Sequence, residues 1–222
     1  MGRPTRACQE ADASTGPFAC KGFWGQAEPR INLKIAYFDT GSGIAGDMTV
    51  AALLDVAGAC GRSDVTLEGL REALGAIAVG GYRIEADKVE VEGLEATHFD
   101  VVVEESQGLD RSWTDIRGLI EDAAGSGLGH DVAAKALRVF EALARAEAEV
   151  HGVDVEEVHF HEVGAIDSIV DIVAACWCLS GLGIESCFCG PLPAGSGYVD
   201  TQHGPRSFVS AGWKDPPGPS SA

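Results

Sequence analysis

Basic residues are scarce in this chain: 16 Lys and Arg stand against 34 Asp and Glu, for a formal net charge of −18. A surface so negative repels phosphate backbones and anionic lipid, which excludes nucleic acid and membranes as general partners. It tolerates cations well, although solubility alone also accounts for it. Long apolar runs are lacking too. No stretch approaches the roughly 20 residues that cross a bilayer, and nothing resembles a signal peptide, so a cytoplasmic location is expected. The 7 cysteines form no regular framework; an odd, uneven set reads as thiols rather than disulfides. Neither the P-loop nor the dinucleotide glycine fingerprint occurs.

What is present is a core and a pattern. Hydrophobic residues make up 45% of 222, enough for one well-packed domain. Residues 1–32 show no periodicity and read as a disordered leader. Residues 205–222, with Pro216-Pro-Gly-Pro-Ser-Ser, read as a disordered or aberrant tail. Between them, Lys34–Asp39 reads as a buried strand, followed by a glycine-rich turn and a helix from Met48 to about Val56. A second helix, capped by Thr66 or Asp64, runs to about Ile77. Tyr82–Val91 and Thr97–Val103 alternate as an antiparallel pair turning at Glu92-Gly93, and 104–112 is a polar loop. Helices are predicted over Trp113–Ala123 and Asp131–Val150, the latter with a stripe at Val132, Ala136, Val139, Leu143 and Ala146. A short strand over Val158–His161, an apolar helix over Ser168–Leu182, and strands near Cys187–Leu192 and Tyr198–His203 complete the set. Strands alternating with helices give an α/β class, a mixed sheet with helices packed on it in a single main domain.

Two segments carry candidate chemistry. In Asp39-Thr-Gly-Ser42-Gly43-Ile-Ala-Gly46-Asp47, glycines let the backbone approach a ligand, and a helix start offers N–H groups. This turn suits a phosphate, a metal held with Asp39, or both through a bridging cation; equally, Asp47 caps the helix and the glycines make a tight turn. In His159-Phe-His161-Glu162-Val-Gly-Ala-Ile-Asp167-Ser-Ile-Val-Asp171, residues two apart on a strand share a side, so two imidazoles face one way. Imidazole suits nickel, zinc and copper, and carboxylates extend the range to manganese and magnesium. Glu162 and Asp167 flank the turn and are positioned to complete a metal site. Ser168 and Asp171 resemble a capping box, which makes Asp171 structural. Glu147 and His151 share a helix face. The late cysteines Cys176, Cys178, Cys187 and Cys189 read best as core.

These residues resemble a family. Tyr37-Phe38-Asp39, Ser42-Gly43-Ile44 and Gly46-Asp47-Met48 are similar to the opening of the LarC nickel insertion proteins. So are Asp115-Ile116-Arg117, Ala146-Glu147-Ala148 with Val150-His151-Gly152, the run Glu157–Ile172, Pro191-Leu192-Pro193, Gly195-Ser196-Gly197 and His203-Gly204. The resemblance covers about residues 33–204, the amino-terminal part of such a protein. It implies nickel insertion into pyridinium-3,5-bisthiocarboxylic acid mononucleotide, giving the nickel-pincer cofactor of lactate racemase. Ni²⁺ is then the cargo, and CTP with Mg²⁺ or Mn²⁺ is handled mainly by a carboxyl-terminal domain. That domain has no counterpart after Gly204 and is expected on a separate chain or in another reading frame. A homo-oligomer is compatible with the resemblance. The resemblance assigns no catalytic residue; joined to the reading of the residues above, it leads to the expectation of Ser42, Gly43, Gly46 and Asp47 near the phosphate, and of His159, His161, Glu162, Asp167 and Asp39 near the metal. The family's histidine-rich stretch is replaced here by Ser106–Ser112, and Gly41 and Ala45 depart from the larger residues expected in the first loop. Two other readings are a non-catalytic nickel-binding scaffold and a metal-dependent phosphohydrolase.

Overall fold

The structure, a computed structural model, describes residues 33–41, 43–104, 111–160 and 164–192, together with the backbone of 198–201 and 204–207. The α/β expectation holds, with helices dominating and the strands gathered in four small two-stranded sheets. The chain opens with strand β1 (Ile35–Phe38) and helix α1 (Gly46–Ala59). Helix α2 (Leu67–Leu74) starts where the Thr66 hydroxyl accepts the Gly69 N–H at 3.1 Å. Thr66 is therefore the cap; Asp64 instead pairs with Arg62.

Strands β2 (Tyr82–Val91) and β3 (Leu94–Val103) form the antiparallel hairpin. Its turn needs positive φ at both Glu92 (52°) and Gly93 (81°), the geometry that matches strand twist in two-residue hairpins. Strand β4 (Arg111–Ser112) lies inside the stretch read as a loop and pairs with β5 (His159–Phe160). Two residues are too few to show alternation, so only the pairing reveals them as a strand.

Helix α3 (Trp113–Ala123) runs through a π-type turn at Ala124–Leu128 into helix α4 (His130–His151). On α4 the buried stripe is Val132, Ala136, Phe140, Ala144 and Ala148, whereas Val139 is exposed. The predicted stripe drifts off the core after Ala136, because the large Phe140 ring anchors the helix edge-on against Phe160, centroids 6.3 Å apart. Helix α5 (Ile166–Leu182) begins two residues before the predicted start, after Ala165, with no side chain capping it. Strand β6 (Ser186–Cys189) then pairs with β1 in parallel, and β7 (Tyr198–Thr201) pairs with β8 (Gly204–Ser207). β8 carries ordered pairing into the first residues of the stretch read as a tail; 1–32 and 208–222 lie outside the described residues.

Helix α5 is the axis of the packing. Ile169, Val170, Val173 and Ala174 are buried in the main core with α1, α2, α3, α4 and the hairpin. Cys178 and Leu182 join a smaller cluster with Leu53, Ala57 and Val65. Truncating a fully buried aliphatic such as Ile169 costs about 2–5 kcal/mol. Cys176 and Cys178 are buried as the sequence suggests, and desolvation pushes their thiols up to about 11 and 12. Cys187 and Cys189 are exposed on β6, which corrects the core reading for that pair.

Candidate functional site: the junction of two helix starts

The glycine-rich turn is built by backbone needs. Gly43 has φ 94°, and its N–H donates to the Thr40 carbonyl at 2.9 Å, a tight turn that an L side chain resists. Thr40 is buried, and its hydroxyl donates to the Pro191 carbonyl at 3.2 Å, tying the turn to the chain after β6. Asp39 stands exposed at the end of β1, one carboxylate oxygen accepting the Gly41 N–H at 3.3 Å.

Helix α1 follows with Ala45 before it; that residue offers no cap, and within the first turn the Asp47 carboxylate accepts the Met48 N–H at 2.7 Å. A carboxylate from α5 stands against this start: Asp171 lies beside Gly46 and close enough to the Asp47 backbone N–H for it to favour the charged form. The fit is close. A Cβ at Gly46 would lie 2.6 Å from Asp171 Oδ2 and 2.7 Å from its Cβ, so glycine is required there by contact rather than by turn geometry. Asp171 therefore closes no capping box in its own helix; it stands in the second turn of α5 and packs against the start of a different one.

The Asp171 carboxylate is not fully satisfied. Asp171 Oδ1 is buried with no hydrogen-bond partner. Burial pushes the Asp171 carboxyl up to about 6, assisted by the negative charges of Asp47, Asp167 and Asp100, against the lowering effect of the Asp47 N–H. A partner-less carboxylate oxygen among like charges is costly, and such an arrangement suits a cation. Asp167 and Asp171 sit one helical turn apart on one face, a like-charge pair on an otherwise apolar helix. That spacing was the available signal for Asp171. Asp100, brought in from β3, had none.

His159 lies elsewhere in this geometry, exposed on β5 opposite Ser112. The Ser112 hydroxyl accepts the Asp115 N–H at 3.1 Å, and the Asp115 carboxylate accepts the Ser112 N–H at 3.0 Å, a complete capping box. Asp115 is held below the usual carboxylate range, first by the Ser112 hydroxyl and backbone, then by His159 and Arg111. Glu147 and His151 do share a face, 3.2 Å apart.

Of the candidate residues, the structure brings Asp47, Asp167 and Gly46 together around Asp171, and sets Asp39 and Gly43 in the turn preceding them. Ser42, His161 and Glu162 lie outside the described residues. Among the described residues no three His, Cys, Asp or Glu side chains converge closely enough to hold a metal by themselves.

The sequence profile of the nickel insertion protein family matches residues 36–208. The chain belongs to that family. A relative from Geobacter sulfurreducens is 48% identical over 174 residues, covering 78% of this chain and 42% of its own length. One from Geobacter sp. strain M21 is 46% identical over 172 residues, with the same shares. One from Thermomicrobium roseum is 44% identical over 173 residues, 78% of this chain and 40% of its own length. All three are provisionally named nickel insertion proteins. The chain therefore spans about two fifths of the length of the curated relatives it matches. No solved structure matches it. Among the described residues no helix is long and apolar enough to cross a membrane.

Proposed function

We propose that this chain provides the cation-handling half of nickel insertion into pyridinium-3,5-bisthiocarboxylic acid mononucleotide. Membership of the nickel insertion family supports the cargo, Ni²⁺. The observation that carries the site is the unpartnered, buried Asp171 Oδ1 at the meeting of α1 and α5. A divalent ion there would supply the missing partner and neutralise the repulsion from Asp47 and Asp167.

In this reading the α1 start does not receive the substrate phosphate directly, because the Asp171 carboxylate packs against it. The phosphate approaches through the bridging cation, with Asp39 and Gly43 bordering it. Oxygen donors suit Mg²⁺ and Mn²⁺ as well as Ni²⁺. Imidazole favours nickel, so His159 and, on the sequence reading, His161 with Glu162 pass the cargo toward the pincer. The nickel–carbon and nickel–sulfur bonds, and the CTP they depend on, belong to the resemblance; CTP is handled by the portion that the longer relatives carry.

Titration of the chain with Ni²⁺ and Mn²⁺ by calorimetry tests this. Asp171→Asn is expected to weaken Mn²⁺ binding at least tenfold, and a His159→Ala/His161→Ala double variant to weaken Ni²⁺ selectively. Unchanged affinity for both ions in both variants removes the proposal. A second reading, a nickel-holding scaffold without turnover of its own, is favoured by the chain's two-fifths share of its relatives' length. It predicts the same binding but no CTP consumption until the remaining portion is supplied.

A further inference from the structure

The β1–β6 pair presents an unusual combination. Parallel strands normally lie inside larger sheets, covered on both faces, yet here two strands make up the whole sheet among the described residues. One face carries Ile35, Tyr37 and Phe188, which are 53%, 66% and 55% exposed. Tyr37 stands opposite Phe188 in the register, so the two rings share one patch. Beside β6, a groove of about 650 Å³ opens between β6, α4 and α5; Val139, Leu143, Cys176, Leu179 and Ile184 make it largely apolar, and Lys135, Arg138 and Glu185 also line it. The outer edge of β6 separates the two surfaces, and its backbone groups have no partner strand among the described residues. An apolar patch, an apolar groove and an open strand edge side by side describe a sheet that continues.

We propose that this flank is a docking edge for the portion of a nickel insertion protein that lies outside the matched segment. That portion adds a strand to the free edge of β6 by strand pairing. Its apolar side chains cover Tyr37 and Phe188 on one side and fill the α4–α5 groove on the other. The size of the occupant follows from the relatives, of whose length this chain accounts for 42%. A second copy is disfavoured by charge, since each carries a net −18 and close approach of two such surfaces is repulsive. The inference does not depend on where nickel binds.

Cys187 and Cys189 are exposed reporters on this edge, and Cys60, exposed where α1 ends, serves as the reference thiol. The 222-residue chain is co-expressed with the unmatched portion of the Geobacter sulfurreducens relative, and separately fused to it. Maleimide labelling is then followed at each cysteine by peptide mapping. Cys187 and Cys189 are expected to label at least tenfold more slowly in both forms than in the chain alone, with Cys60 unchanged. Phe188→Glu and Tyr37→Glu, both surface substitutions that leave the isolated fold intact, restore the labelling. Undiminished labelling in the trans and the fused forms overturns the proposal. So does protection that appears in the chain alone as its concentration rises, which would make a second copy the occupant.

Discussion

Helices α1 and α3 begin in opposite ways. The α3 start is closed by its own sequence: Ser112 and Asp115 satisfy each other, and every group in the box has a partner. At the α1 start the carboxylate of Asp171, 124 residues from Asp47 in sequence, packs against the backbone beside Gly46, and one of its oxygens is buried without a partner. Local capping stabilises a helix and asks for nothing more. A buried carboxylate set among like charges, with an oxygen left unpartnered, conflicts with the rules the rest of the fold obeys, and such conflicts gather at functional sites. On this account α3 is scaffold and the α1–α5 junction is the site.

The contrast is tested most strongly at Gly46. Gly46→Ala drives a Cβ into the Asp171 carboxyl and is expected to cost about 1–3 kcal/mol in urea denaturation, the usual price of overpacking. In an Asp171→Ala background the same change should cost far less, since neighbours in contact are not additive. Ser112→Ala comes next. Loss of that cap costs about 1 kcal/mol, with no change in cation affinity; a change in affinity would erase the distinction between the two starts.

A smaller effect, once partial exposure is allowed for, is the pH dependence at Asp171. Its carboxyl is raised in the folded state to about 6, so the stability it contributes is full below the ordinary carboxylate range and declines as pH rises through about 6. Without divalent ions, the melting temperature of the chain should fall over that window, and Asp171→Asn should flatten the fall. Added Mn²⁺ should reverse it above pH 6 in the unsubstituted chain only. Smallest is His159→Ala: an exposed side chain whose removal shifts stability by less than about 0.5 kcal/mol.

Much of the fold was legible because it follows local pattern. The Glu92-Gly93 hairpin, the five helices and their order all follow from periodicity and turn chemistry. Missing from the sequence was whatever depends on contact between distant segments. The β4 strand is two residues long and exists through β5. The α4 stripe was set by Phe160 meeting Phe140. Asp171 read as a local cap because Ser168 precedes it by three residues, and the carboxylate's true neighbour, Gly46, lies on another helix. The same limit applies to Cys187 and Cys189, whose spacing looks like core until the sheet around them is counted.

The most direct test of the junction is anomalous diffraction from crystals of the chain soaked in Mn²⁺ above pH 7. The account predicts a manganese peak about 2 Å from Asp171 Oδ1, absent from Asp171→Asn crystals. Manganese density confined to other residues, with Asp171 Oδ1 still unpartnered, would contradict it.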